Sequence, residues 1–166
     1  NALAEAMTLA GAEAHHEAYN HHNRRRWKIT TDASIGYDNA EIVSPILSGA
    51  AGFEQVRIAC AALEAFGCRV NRSTGLHVHV GVRDRFSTQL GFFKELLRTA
   101  HKYEPVLNEL VAPSRRANNS YCEGGVNLRV VEAATTIREV FPAHHGTFRK
   151  VAVDHASSLP GTVEFR

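Results

Sequence analysis

Cysteine is scarce in this 166-residue chain: Cys60, Cys68 and Cys122 are the only three, and no two form a Cys-x-x-Cys pair. That excludes a disulfide framework and leaves a reducing cytoplasm as the expected compartment. Cys60 reads as a small core residue of a helix. Long apolar runs are missing too. None approaches the roughly 20 residues that a spanning helix needs. An excess of either charge is absent: 19 Lys and Arg against 17 Asp and Glu leave a net charge of +2 with histidines neutral. Nothing in that balance calls for a nucleic acid or a membrane as partner. The basic run Arg24-Arg25-Arg26 is short and reads as a solvated loop. No internal repeat and no low-complexity linker divides the chain, so residues 1–166 are expected to form one domain.

What is present suits a packed core, since 44 % of the residues are apolar. Residues 2–14 are Ala-rich and predict a helix, followed by a polar loop from His15 to Arg26. Trp27–Thr31 and Glu41–Val43 predict strands, with Asp32–Gly36 as a turn between them. Phe53, Val56, Ala59, Cys60, Leu63 and Phe66 recur at helical spacing, and Gly67 is the stop signal. A third helix starts at Ser87 as N-cap and runs to about Tyr103, and a shorter one spans Pro105–Val111. Residues 113–127 predict a loop. Val151–Val153 and Thr162–Phe165 predict strands. Paired strands separated by helices predict an α+β domain, a mixed or antiparallel sheet with helices packed on one face.

The stretch Gly75-Leu-His-Val-His-Val80 carries the chemistry. In a strand, alternate side chains share a face, so His77 and His79 point one way and Val78 and Val80 the other. Their Cα atoms then lie about 6.6–7 Å apart, within reach of one ion. Gly75, just before them, marks a close approach of backbone to something. Glu164 and Arg166 alternate with Val163 and Phe165, so an acid and a base share a face as well. Glu41 opens one strand and Asp32 ends another. Each group alone reads equally well as a solvated charge. Together they offer imidazoles, carboxylates and a guanidinium, a donor set that suits a hard divalent cation beside phosphate.

Five segments occur in a shared order: Asp32-Ala-Ser-Ile35, Glu41-Ile-Val-Ser-Pro-Ile-Leu47, Ser73-Thr-Gly-Leu-His-Val-His-Val-Gly81, Arg115 with Asn118-Asn-Ser-Tyr-Cys122, and Gly161-Thr-Val-Glu-Phe-Arg166. In these the chain resembles the amidoligase family, carboxylate–amine ligases with a glutamine synthetase-like fold. The resemblance runs from about Trp27 to Arg166. It implies a glutamine synthetase-like catalytic domain that uses ATP and magnesium (Mg2+) to join a small-molecule or peptide carboxylate to an amine through an acyl phosphate. By that likeness His77 and Glu164 would ligate a metal, with Glu41 as a further carboxylate ligand. His79 would contact the nucleotide phosphates. Arg166 would stabilise charge on the transferred group. Arg115, Asn118 and Asn119 match a loop that binds substrate or phosphate.

One departure stands out. These ligases carry a Glu-x-Glu pair on an early strand, and this chain has none. The chain is therefore expected to be a fragment, cut at both ends. Two other readings remain open. A metal-dependent hydrolase would use His77, His79 and a carboxylate to activate water without ATP. A catalytically degenerate ligase-like domain would only bind a peptide or partner, and the missing Glu-x-Glu favours it.

Overall fold

Glycine sets the first boundary. In the computed structural model, helix α1 (Ala2–Leu9) ends at Gly11, whose φ of 99° closes a C-terminal turn. Ala12 N donates to Met7 O at 2.9 Å and Gly11 N to Thr8 O at 3.0 Å, the pairing of a Schellman cap. The helix expected over residues 2–14 is thus cut short. Residues Ala14–His16 form strand β1 instead of the start of a loop. The structure describes residues 2–20, 22–32, 39–82, 90–116, 126–140, 151–154 and 161–166.

The described chain forms two compact units, Asn1–Thr74 and Gly75–Arg166. The first holds α1, β1, β2 (Trp27–Thr30), β3 (Glu41–Val43) and α2 (Gly49–Phe66). Its sheet runs β1-β2-β3, the first pair parallel and the second antiparallel. Trp27 and Ile29, alternate residues of β2, pack with Leu3, Ala4 and Met7 of α1 and with Ala59 and Ala62 of α2.

Helix α2 buries the small side of its surface. Gly52, Ala59 and Ala62 are buried, while Phe53, Val56 and Phe66 are exposed, as is Cys60. The reason is close approach. A Cβ on Gly52 would meet Leu47 Cβ at 3.0 Å, so glycine suits that position, while Ile58 and Leu63 pack at the margin of the same core. The expectation that Cys60 is a core residue is corrected accordingly. Gly67, with φ 91°, ends the helix as its sequence signal predicts.

The second unit holds β4 (Val78–Gly81), α3 (Leu90–Glu109), a 3-10 turn at Pro113–Arg115, α4 (Leu128–Ala133), α5 (Ile137–Val140), β5 (Val151–Asp154) and β6 (Thr162–Phe165). Its antiparallel sheet runs β4-β6-β5. Val163 of β6 is buried with Phe93 and Leu97 of α3, Val131 of α4 and Val140 of α5. Arg98 grips Glu132 with two bonds of 2.6 Å and ties α3 to α4.

The helix expected to stop at Tyr103 runs on through Pro105. Proline at this position takes away one i to i−4 bond, to the carbonyl of His101, and the helix absorbs that loss. Beyond it, Tyr103, Val106, Leu107 and Leu110 are exposed. The fold is α+β, with one mixed and one antiparallel sheet. Among the described residues no helix is long and apolar enough to cross a membrane.

Candidate functional site

The candidate site lies on the sheet of the second unit, and strand pairing builds it. The β4–β6 register sets His79 against Glu164 and Val80 against Val163. Val82 N donates to Gly161 O at 2.7 Å, which fixes the phase of the ladder. Val82, Val80 and Val78 therefore exchange main-chain bonds with β6, and His79 faces Glu164 as a non-hydrogen-bonded pair. Side chains of such pairs come closest, at about 4.5 Å between Cα atoms.

The geometry follows from that phase. Glu164 is only 5 % exposed. Its Oε1 lies 3.4 Å from His77 Nδ1 and 3.6 Å from His79 Nε2, and it accepts a 2.8 Å bond from Arg166 Nε. His79 turns its other nitrogen, Nδ1, to Thr162 Oγ1 at 3.3 Å. Thr162, Glu164 and Arg166 share one face because Val163 anchors the opposite face in the core.

The approach to His77 is tight. A Cβ on Gly75 would lie 3.3 Å from His77 Nε2 and 3.8 Å from Arg115 Cζ, so glycine leaves room for both groups here. The His77 side chain remains 39 % exposed. Its pKa is lowered, first by burial, then by the positive charge of Arg166, with Glu164 opposing. Burial disfavours the charged ring, and the guanidinium repels it. His77 is thus held as a neutral imidazole with a lone pair to offer.

The sequence-named residues divide three ways. His77, His79, Glu164 and Arg166 meet on this face, and Arg115 approaches it at Gly75. Glu41 lies in the first unit on β3, opposite Thr30, and Asp32 lies there too, with its N–H bonded to Asn39 Oδ1. Asn118 and Asn119 fall outside the described residues. Thr162 was missed by sequence reasoning, although the period of two that pairs Glu164 with Arg166 also includes it. Among the described residues, no group of three or more His, Cys, Asp or Glu side chains is arranged to hold a metal ion. Arg166 sits on the same Glu164 oxygen that both rings approach.

Over residues 1–139 the chain matches the family described as "Putative amidoligase enzyme". Neither a curated protein nor a solved structure matches it. The matched stretch includes His77, His79 and Arg115, while Glu164 and Arg166 lie beyond it and join them through the β4–β6 pairing. The match spans most of the sequence, and the chain belongs to the amidoligase family.

Proposed function

We propose that this chain is an ATP-dependent carboxylate–amine ligase with a glutamine synthetase-like fold, forming an amide or peptide-type bond through an acyl phosphate. The observation that supports this most is the convergence of two imidazoles and a guanidinium on one oxygen of a buried carboxylate, in a chain of the amidoligase family. A bare carboxylate resists attack by an amine because it is negative and has no good leaving group. ATP, bound with magnesium, supplies the phosphoryl group that removes both obstacles.

The residues divide that work by their chemistry. His77 and Glu164 would hold the magnesium. A neutral imidazole and a carboxylate suit such an ion as donors. Arg166 competes with the ion for Glu164. His79, Asn118 and Asn119 would contact the nucleotide. Arg166 is held in place by its 2.8 Å bond to Glu164, so its positive charge is oriented before negative charge develops on the transferred group. Arg115 would bring a second guanidinium to the substrate. The exposed free thiols of Cys60 and Cys68 suit a reducing compartment such as the cytoplasm.

The test follows phosphate release from ATP and magnesium, with a mixed pool of amino acids and amines and with hydroxylamine as trap. Substrate-dependent release with hydroxamate formation is expected, and His77→Ala and Glu164→Ala should both abolish it. No release from any pool, in a chain that still binds a metal or a peptide, would replace the ligase with the hydrolase or the binding domain.

A further inference from the structure

Strand β4 is an edge. The sheet order is β4-β6-β5, and among the described residues no strand pairs with the outer side of β4. The ladder phase decides which groups face outward. Val78, Val80 and Val82 spend their main-chain groups on β6, so the N–H and C=O of His79 and Gly81 point away from it. Side chains along this edge are open too. Leu76 is 79 % exposed, Val78 46 % and Val80 45 %. Exposed edges invite strand addition, and Val78–Gly81, though short, pairs in an unbroken register and carries no proline, lysine or bulge.

The charges lie at one end. The register that pairs Val78 with Phe165, continued by one residue, sets His77 against Arg166, beyond the N-terminal end of β4. Arg115 approaches the same end at Gly75. Among the described residues, two guanidiniums and one carboxylate, Glu164, gather there. A strand added antiparallel to β4 would bring its C-terminus to this end, whereas a parallel one would bring an amino terminus toward like charge.

We propose that the outer edge of β4 docks an extended peptide, antiparallel, with the peptide's C-terminal carboxylate delivered to the His77, Arg115 and Arg166 end. This rests on the ligase reading and names the carboxylate substrate as a peptide. At about 3.3 Å per residue, the stretch from Gly81 to His77 spans ~13 Å, so about five residues fit. The first, third and fifth would pair with the main chains of Gly81, His79 and His77. The second and fourth would lay their side chains over Val80 and Val78.

The probe is acetyl-Ser-Val-Ser-Val-Ala with a free C-terminal carboxylate, titrated onto the chain by calorimetry. Methylating the amide nitrogen of its third residue should weaken binding by at least about tenfold, because that N–H faces His79. Methylating the fourth, which faces away, should leave affinity unchanged. A C-terminal amide in place of the carboxylate should cost at least about tenfold. Gly81→Pro, which removes an outward N–H and no bond to β6, should weaken the peptide while the thermal midpoint holds. Equal binding of the two methylated peptides, equal competition by free alanine, no binding at all, or a dimer of the chain that Gly81→Pro dissolves would each overturn the proposal. Peptide binding without ATP-dependent phosphate release would sink the ligase reading and leave this edge standing. Hydroxamate formation from single amino acids, without peptide binding, would do the reverse.

Discussion

Glu164→Gln keeps the shape of the side chain and removes its charge. Glu164 is 5 % exposed, and the Arg166 side chain is 15 % exposed. At an effective dielectric of about 20, a contact pair is worth about 4 kcal/mol gross. Desolvation offsets much of that, and a charge-assisted bond keeps about 1.5–3 kcal/mol net. The glutamine variant takes the carboxylate charge away from a mostly buried guanidinium, so a loss of about 2–3 kcal/mol is expected. That corresponds to a fall of about 5–10 °C in the unfolding midpoint. Arg166→Met should cost a similar amount, since it strands a buried carboxylate. The double variant should cost little more than either single one, a coupling of about 1–3 kcal/mol. Urea unfolding of all four proteins at neutral pH measures the cycle. Single effects that add to within about 0.5 kcal/mol would refute the pairing as the source of the stability.

Gly75→Ala places a methyl 3.3 Å from His77 Nε2, and the ring must shift by a few tenths of an ångström. Stability should change by less than about 0.5 kcal/mol, while ligation falls by about tenfold or more. An unchanged rate would mean that the position of His77 does not matter. The lowered pKa of His77 should fall further in Glu164→Gln and rise in Arg166→Met, read by proton NMR of the ring, because the two neighbours act with opposite sign. Its contribution to stability is complete above the unfolded value of about 6.5. It is lost as pH falls through that value toward the folded one, because there the unfolded chain binds the extra proton. Pro105→Ala restores an N–H that can reach the His101 carbonyl, and a gain of about 1–3 kcal/mol with more helix by circular dichroism is expected. No gain would mean that α3 does not run continuously through residue 105.

The site face could be read from the sequence because its periods are short. His77, His79, Glu164 and Arg166 each sit two residues from a partner, and a period of two survives any arrangement of the rest. What brings the two pairs together is the pairing of β4 with β6, and that rests on contacts far apart in sequence. The helix over residues 2–14 was overextended because alanine content outweighed one glycine, and Gly11 is where the chain turns. Cys60 was misplaced for a different reason. The spacing of apolar residues in α2 marks two possible faces, and the sequence does not say that the one through Gly52, Ala59 and Ala62 turns inward. Pro105 misled in the opposite way, because a helix packed through Phe93 and Leu97 tolerates one missing bond.

The strand order of the second sheet has a consequence for how the protein is made. Of its three strands, the central one, β6, is the last in sequence. During synthesis β4 therefore leaves the ribosome with no neighbour to pair with, and β5 can do no more than wait beside it. At roughly 5–20 residues per second the interval before β6 arrives is several seconds. Throughout it Leu76, Val78 and Val80 offer an unpaired apolar edge to whatever is near. The arrival of β6 pairs the inner edge of β4, closes the sheet and brings Glu164 and Arg166 to the histidines in one step.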